Sequence, residues 1–366
     1  MIGWTLGRYF FIRYLKITCY FCGGILVLAL LIDFTENSGR LPSLPHYTAK
    51  DALLLSVLRI PFIMQQLIPF IALFSAMATL ISLNKKLELV VTRSIGVSAW
   101  QFLMPACLGA FLLGLLSIFL INPFAAWGFS QAEKMMTEWR NNNNNNILTS
   151  LHNTRIHWLT QRTDLGRTTI GAKFITDQGP SLLDATFVQY KDDATVKNWI
   201  NTPKATLTNG AWFLTNGTIY KIGHPPEKFT ELKIKTNLKP EFLTERLVNP
   251  ATIPFYQLPK KIMIARSFGY SANNFDMYLQ SLIALPALLV AMTLIAATVS
   301  LNFTRFGQSR TLILGGVIAG FMLYVISVLV QAFGNAGYIP PIIAAWTPVV
   351  IALFLGISFL LHKEDG

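Results

Sequence analysis

Two long apolar runs without a single charged residue constrain this chain more than any other feature of its sequence. They cover residues 67–83 and 102–121, and each is close to the length that crosses the hydrocarbon core of a bilayer as a helix. Comparable runs occupy residues 17–32, 278–301, 312–333 and 342–361. Hydrophobic residues make up 52% of the chain and charged residues 13%, whereas soluble domains carry about 25% charged residues. We therefore predict a polytopic α-helical membrane protein with six transmembrane helices.

The charged residues are concentrated between the third and fourth apolar runs. More than half of the lysines and arginines, and more than half of the acidic residues, lie within residues 122–276. This distribution predicts three parts: transmembrane helices in residues 1–121, a polar domain in 122–276, and transmembrane helices in 277–366. Six consecutive asparagines at 141–146 are typical of a flexible connector inside the polar domain.

Within the polar domain the sequence period changes from helical to extended. Short β-branched and aromatic segments, separated by Gly, Pro, Asn and Asp turns, indicate six or more strands. The segments are residues 155–161, 168–176, 182–190, 204–208, 211–222 and 229–236. We predict one antiparallel β-sandwich or an open, jellyroll-like domain inserted between the two groups of three transmembrane helices.

The positive charges predict the orientation in the membrane. Three basic residues precede the first apolar run, and three more lie in the linker between the second and third runs, residues 84–98. Short basic segments stay in the cytoplasm, so we expect both termini and this linker inside and the β domain outside. Pro61 and Pro69 are expected to kink the second helix or to end its first part.

The linker itself predicts a short helix at the cytoplasmic surface. Leu87, Val90 and Val91 follow the i, i+3, i+4 spacing of an apolar stripe, and Glu88 is the one acid among three basic residues. Such a helix is available to a soluble partner.

Motifs for catalysis or nucleotide binding are absent from the sequence. There is no G-x-x-x-x-G-K-[ST] loop, so the chain is not expected to hydrolyse ATP, and the five histidines fit no metal-ligand spacing. The three cysteines all lie in apolar runs, which rules out a disulfide framework in the polar domain. We predict no catalytic residue, no metal, no cofactor and no nucleic-acid partner.

Several segments resemble the LptF/LptG permease family, which exports lipopolysaccharide in Gram-negative bacteria. They are LELVVTRSIGVS in the linker, ALPALLVAMTLIAATVSL in the fourth run, GGVIAGFMLYVISVLVQAFGNAGYIPP in the fifth, AAWTPVV with the closing EDG in the sixth, Leu6-Gly-Arg-Tyr at the start, and Trp212 among the strands. The likeness covers the whole chain in the same order, and the last three runs resemble the LptG branch more than the LptF branch.

The resemblance implies an inner-membrane complex of LptG and LptF with a dimer of the ATPase LptB, which binds ATP and Mg, and with LptC at its side. It implies that Glu88 docks in a groove of LptB, flanked by Leu89, Val90 and Arg93. The alternative for Glu88 is that it only offsets Lys85 and Arg93 on a solvated face.

The resemblance also implies an outward-facing cavity for lipopolysaccharide with basic residues at its rim. Candidates by position are Arg40, Arg59, Lys134 and Arg140; the alternative is ordinary snorkelling at the membrane interface.

Gly315, Gly316 and Gly320 have small-xxx-small spacing, which permits close helix approach. The resemblance implies a lateral gate between this helix and the first helix of the partner permease. The alternative is packing within the chain.

Two other classes of protein are alternatives to a transporter subunit. A membrane-embedded lipid enzyme, such as an acyltransferase, needs a nucleophile or base at membrane depth, and no His or paired acid lies there. A structural scaffold with an external β domain would lack nucleotide-dependent movement. LptF remains the alternative within the family.

Overall fold

The structure, a computed structural model, describes most of the chain. The described residues are 4–39, 48–143, 157–163, 166–176, 181–190, 195–208, 210–221, 225–236, 249–267, 272–300 and 310–365. By their contacts, the residues form two compact units. The helical unit consists of Met1–Arg140, Pro250–Lys261 and Asn273–Gly366, and the β unit of Asn141–Asn249 and Ile262–Ala272.

Long helices account for most of the chain outside the β unit. The helices are α1 (Trp4–Ser38), α2 (Ala49–Lys85), α3 (Glu88–Ser94), α4 (Ala99–Leu116), α5 (Asn122–Asn143), α6 (Leu258–Ser267), α7 (Asn273–Ser300), α8 (Arg310–Asn335) and α9 (Pro341–Asp365). One π-helical turn, Ser117–Ile121, joins α4 to α5. Short 3-10 turns at Pro250–Thr252 and Phe255–Gln257 precede α6.

Six stretches of these helices are long and apolar enough to cross a membrane. They are Thr5–Ser38, Ala49–Lys85, Ala99–Met136, Asn273–Ser300, Ile313–Asn335 and Pro341–His362. Three precede the β strands in the chain and three follow them. The predicted arrangement of three helices, an inserted β domain and three helices is therefore confirmed.

α7 is the central helix of the helical unit. Its fully buried Leu289 belongs to one apolar cluster with Leu73 of α2, Ala110 of α4 and Ala344 of α9. α1 and α8 keep far fewer of their apolar side chains buried. In a membrane such faces are covered by lipid or by another subunit, so this exposure agrees with the membrane assignment.

α2 runs without a break through both of its prolines. It is one helix of 37 residues that contains Pro61 and Pro69, so of the two expectations, a kink or an end of its first part, the second is wrong. Neighbouring helices re-satisfy the backbone groups that a proline frees, which makes proline tolerable inside transmembrane helices. Pro69 is itself buried.

Six described strands form the β unit as one antiparallel sheet. They are β1 (His157–Thr163), β2 (Gly166–Thr176), β3 (Ser181–Tyr190), β4 (Val196–Thr208), β5 (Ala211–Lys221) and β6 (Glu227–Lys235). They lie in the sheet in chain order, as a meander. The buried side chains share one face, because cross-strand partners such as Ile170, Phe187 and Ile200 are all buried.

A row of irregular positions bends this sheet back on itself. Regular pairing is interrupted at Asp184 and Asn216, whose φ angles are 51° and 54°. Phe187 and Trp212 pair with β4 residues seven positions apart, about 23 Å in a flat strand, yet their ring centroids are 5.8 Å apart. The antiparallel β domain is confirmed, and its six described strands form one bent meander that encloses its own core.

Candidate functional site

The linker between the second and third spans forms the helix α3, and its start is fixed by one unusual backbone angle. Leu87, the residue before the helix, has φ 61°, in the left-handed region. Its amide donates to the carbonyl of Asn84 at 2.9 Å, and its carbonyl accepts from the amide of Val91 at 3.0 Å. The chain therefore turns sharply from the end of α2 into α3.

The end of α3 is fixed by a Schellman motif. Gly96, with φ 87°, donates to the carbonyl of Arg93 at 2.9 Å, and Val97 donates to the carbonyl of Thr92 at 3.3 Å. Glycine suits this position because a side chain strains a left-handed backbone. The Ser98 side chain then caps the next helix, α4. The Ile-Gly-Val-Ser sequence thus stops one helix and begins another.

Leu89 anchors α3 to the helical unit. It is fully buried and belongs to an apolar cluster with Phe10 of α1, Leu83 of α2, Phe102 of α4 and Leu360 of α9. This burial prevents Leu89 from contacting a partner directly, so whatever it contributes to coupling comes through the position of α3. Thr92, one turn later, is also buried.

The opposite side of α3 is an exposed apolar surface, which we call the α3 outer face. It consists of Leu87, Val90, Val91 and Ile95, which are 62%, 43%, 56% and 76% exposed. These residues include the predicted apolar stripe. The stripe is therefore the exposed side of the helix, and Leu89, which lies off the stripe, is the buried contact.

Glu88 is held by residues of its own chain. Arg13 Nη1 lies 2.9 Å from each carboxylate oxygen of Glu88, and the Tyr9 hydroxyl donates to Oε2 at 3.1 Å. Arg13 Nη1 also donates to the Tyr9 hydroxyl at 2.6 Å, and Nη2 donates to Ser82 Oγ at 2.8 Å. The sequence suggested a cation of a partner, or Lys85 and Arg93, as the counter-ion. The structure places Arg13 beside Glu88, a counter-ion that the sequence did not indicate.

Arg93, the last of the predicted coupling residues, lies in the final turn of α3 and is exposed. The structure therefore brings all four predicted residues onto one short helix, but they point in different directions. Val90 and Arg93 are exposed, Leu89 is buried, and Glu88 faces α1.

Of the four residues predicted to form a basic rim, Arg59 is the one whose contacts the structure describes. Arg59 Nη1 lies 3.1 Å from Asp33 Oδ1 and 3.3 Å from Asn37 Oδ1, and Asn37 in turn donates to Asp33 Oδ2 at 2.7 Å. Its charge is thus offset inside the chain, in a polar clamp between α1 and α2. Asp33 and Asn37 are both buried, and their i, i+4 spacing on α1 was the sequence signal for this clamp.

The structure says less about the surroundings of the other three rim candidates. Lys134 is an exposed residue of α5. Arg140 lies in α5, but its side chain is outside the described part. Arg40 is outside the described residues altogether.

The three glycines of α8 have different surroundings. A Cβ on Gly316 would lie 2.9 Å from Val299 of α7, and one on Gly320 would collide with Leu73 of α2. The space for a partner helix that was predicted at these two positions is therefore filled by the chain itself. Gly315 has no heavy atom within 4 Å of the same position and is the one of the three that faces open space.

Sequence reasoning missed a buried polar hub centred on Asn122, the first residue after the π turn. Its side-chain amide donates to the Tyr278 hydroxyl at 3.0 Å and to Gln65 Oε1 at 3.4 Å, and its oxygen accepts from the Phe255 amide at 2.8 Å. It thus joins α2, α5, α7 and the turn before α6. A lone polar residue at the end of an apolar run was the available signal.

Among the described residues, no group of three or more His, Cys, Asp or Glu side chains could hold a metal ion. Polar residues of the helical unit form interhelical contacts, as at Asn122, and the accessible feature of α3 is its apolar outer face. This arrangement is suited to docking and movement of helices.

Six apolar spans, an inserted β unit and a linker helix with an exposed apolar face define a class of protein: a polytopic, multi-pass α-helical membrane protein built like a permease. The family model of the lipopolysaccharide export system permease LptF/LptG matches residues 8–362. The chain belongs to the LptF/LptG family, and the resemblance is confirmed at that level. A comparison with curated proteins found no match.

Membership in this family establishes the general activity. The chain is a permease of lipopolysaccharide export and works in a membrane complex with other Lpt components. As a transporter subunit it is not itself an enzyme.

Proposed function

We propose that this chain is the LptG-type permease subunit of an ABC transporter that extracts lipopolysaccharide from the inner membrane. It passes the lipid to a periplasmic bridge of β-jellyroll domains that leads toward the outer membrane. LptF is the second permease, and LptC joins the complex at its side. A dimer of LptB binds ATP and Mg and hydrolyses the nucleotide that drives each cycle.

The observation that carries this proposal is the α3 outer face. Four aliphatic side chains are exposed in a basic linker: Val90 and Val91 lie within the seven-residue helix, and Leu87 and Ile95 flank it. Exposed apolar clusters rimmed by polar residues are typical of protein interaction sites. Because Leu89 fastens the other side of the helix to the bundle, a partner that grips the outer face can displace the helices beneath it.

The charge distribution supports the orientation that this function requires. Basic residues precede the first apolar run and fill the linker, which favours the cytoplasm for both. With that start, three spans before the β strands support a periplasmic β unit, and six spans in total support a cytoplasmic C-terminus. An ATPase in the cytoplasm can reach α3 only in this orientation.

The choice of LptG over LptF is supported by the last three spans. The segments ALPALLVAMTLIAATVSL, GGVIAGFMLYVISVLVQAFGNAGYIPP and AAWTPVV resemble the LptG branch. Co-expression with either permease type tests this choice, since an LptG-type chain assembles with LptF and not with a second LptG.

Val91→Asp tests the proposed docking surface. A buried valine contributes roughly 1.5 kcal/mol or more, and an unpaired carboxylate in an apolar contact costs more. We therefore expect at least about a tenfold loss of ATPase captured with this chain from detergent extracts. The fold is not expected to change, because Val91 is exposed.

Val196→Asp is the matched control, since it makes the same change at an exposed valine of β4. It should capture as much ATPase as the unchanged chain. Equal capture by the Val91 and Val196 variants would contradict docking on α3. Failure of the unchanged chain to capture any ATPase would contradict the proposed function as a whole.

A further inference from the structure

One arginine near the start of α1 connects the ends of three helices. Arg13 belongs to α1, its Nη1 lies 2.9 Å from both carboxylate oxygens of Glu88 on α3, and its Nη2 donates to Ser82 of α2 at 2.8 Å. We propose that Arg13 is a positioning residue that fastens α3 to α1, so that a displacement of α3 is transmitted directly to the first transmembrane helix. This inference rests on the proposed function, because it takes α3 as the element that the ATPase moves.

The chemistry of the guanidinium explains why an arginine stands at this point. Its planar group presents several N–H donors in a rigid fork. One arm of the fork holds the Glu88 carboxylate and the other holds the Ser82 hydroxyl. A lysine would supply the same charge from a single point, so it would keep the ion pair without fixing the angle between the helices.

Tyr9 reinforces the contact from the same helix. It lies four residues before Arg13 and hence on the same face of α1. Its hydroxyl accepts a hydrogen bond from Arg13 Nη1 at 2.6 Å and donates one to Glu88 Oε2 at 3.1 Å. Two side chains of α1 therefore hold one carboxylate of α3.

The ion pair is partly shielded from water, unlike an ordinary surface pair. The Arg13 side chain is 14% exposed and the Glu88 side chain 28%. Exposed pairs contribute little because water and salt screen them. Removing one member of a partly shielded pair leaves a charge that is only partly hydrated and has lost its partner, which is costly.

Apolar contacts beside the ion pair fasten the same two helices. Phe10 and Leu89 follow Tyr9 and Glu88 in the chain, and both belong to the apolar cluster that also contains Leu83. α3 is thus attached to α1 by a polar contact and by a shared apolar core. A pull on the α3 outer face is therefore resisted at α1 as well as at α2 and the other helices that share this cluster.

This arrangement makes a prediction that differs from recognition of Glu88 by a partner. If Glu88 served a cation of the ATPase, reversing its charge would be harmful whatever residue occupied position 13. If Glu88 serves Arg13, reversing both charges restores the pair. The test therefore uses Arg13→Glu, Glu88→Arg and the double variant, each in the full complex with its ATPase and second permease.

Two quantities are measured for each complex: the ATPase captured, and the lipopolysaccharide released from proteoliposomes per ATP hydrolysed. We expect each single variant to release about tenfold less lipid per ATP, and the double variant to exceed both. Lys16→Glu, an exposed charge reversal on the same helix, should behave as the unchanged chain. A double variant that does not exceed both single variants would overturn the inference, as would an Arg13→Glu complex with unchanged coupling.

If size-exclusion chromatography shows that charge reversal prevents folding, a graded series of substitutions at Arg13 replaces the charge-reversal test. Arg13→Lys keeps the positive charge but loses the forked N–H donors of the guanidinium, and Arg13→Gln loses both the charge and the fork. Lipid release per ATP should fall from Arg to Lys to Gln, and equal release by all three would overturn the inference. If the unchanged chain captures no ATPase, the proposed function fails; if it captures ATPase and neither rescue nor grading is seen, the inference alone fails.

Discussion

Single polar residues inside the helical unit act as connectors between helices. Asn122 contacts Gln65, Tyr278 and the Phe255 amide, while Arg59 contacts Asp33 and Asn37. Polar groups away from water must find partners, and here the partners come from other helices. Each such residue therefore fixes how neighbouring helices pack.

Asn122→Leu should destabilise the helical unit, because it leaves the Phe255 amide without its acceptor and removes the amide that donates to the Tyr278 hydroxyl. An unsatisfied buried group costs about 1–3 kcal/mol, so we expect a lower midpoint of thermal unfolding in detergent. Asn335→Leu, at an exposed position near the end of α8, is the matched control and should leave the midpoint unchanged. Equal midpoints for the two variants would show that the hub does not contribute to stability.

For individual residues, the sequence identified the notable charged side chains but not the residues they pair with. Glu88 stood out as the one acid in a basic linker, yet its counter-ion Arg13 lies 75 positions earlier. Arg59 stood out as a charge in an apolar run, and its pairing with Asp33 depends on how α1 packs against α2. Such pairs follow from tertiary packing, which local patterns do not contain.

The helix α3 is the element on which the account depends, and its two ends are set by local chemistry. Leu87 adopts a left-handed backbone at the start, and Gly96 does so at the end. A left-handed conformation costs a residue with a side chain roughly 1–2 kcal/mol. The length and direction of α3 are therefore sensitive to single substitutions at these positions.

Gly96→Ala should loosen the end of α3. A cost of about 1 kcal/mol corresponds to roughly fivefold more frequent local opening. Hydrogen exchange followed by mass spectrometry on peptides covering residues 87–98 measures this change. Gly23→Ala in α1, where a Cβ meets no atom within 4 Å, should leave exchange in those peptides unaltered. Unaltered exchange in the Gly96 variant would show that the Schellman motif is not needed.

Helix periodicity predicted α3 but did not reveal which of its sides is buried. The stripe of Leu87, Val90 and Val91 indicated an amphipathic helix, and the structure exposes that stripe while burying Leu89. An apolar stripe faces whatever covers it, and in a subunit of a complex that cover can be another protein. The stripe therefore predicted an exposed surface on α3, and it gave no sign that Leu89 would be the buried contact.

For the whole molecule, hydropathy and charge predicted most of the architecture. Six spans with a β domain between the third and fourth follow from charge-free runs and from a change of period. The bend that folds the meander over its own core could not be predicted, because it depends on the backbone at Asp184 and Asn216 and on contacts such as that between Phe187 and Trp212.

For the whole molecule, the separate observations fit one proposed mechanism. Under the proposed function, the outer face of α3 is the docking surface for the ATPase, and Leu89 and the Arg13–Glu88 pair are the contacts that pass its movement to the bundle. The lightly buried helices α1 and α8 are the ones that such a complex would leave to lipid or to a second permease. On that proposal, this chain contributes a mechanical connection to lipopolysaccharide transport.

Site-specific photocrosslinking from position 95 in living cells tests this account most directly. Ile95 is the most exposed residue of the α3 outer face, so a photoreactive side chain placed there should form a covalent adduct with an ATP-binding subunit. The same label at Val196 of the β unit should give no such adduct. Crosslinks from position 95 to lipid alone, or an ATPase adduct from position 196, would contradict a cytoplasmic coupling helix that docks a separate motor.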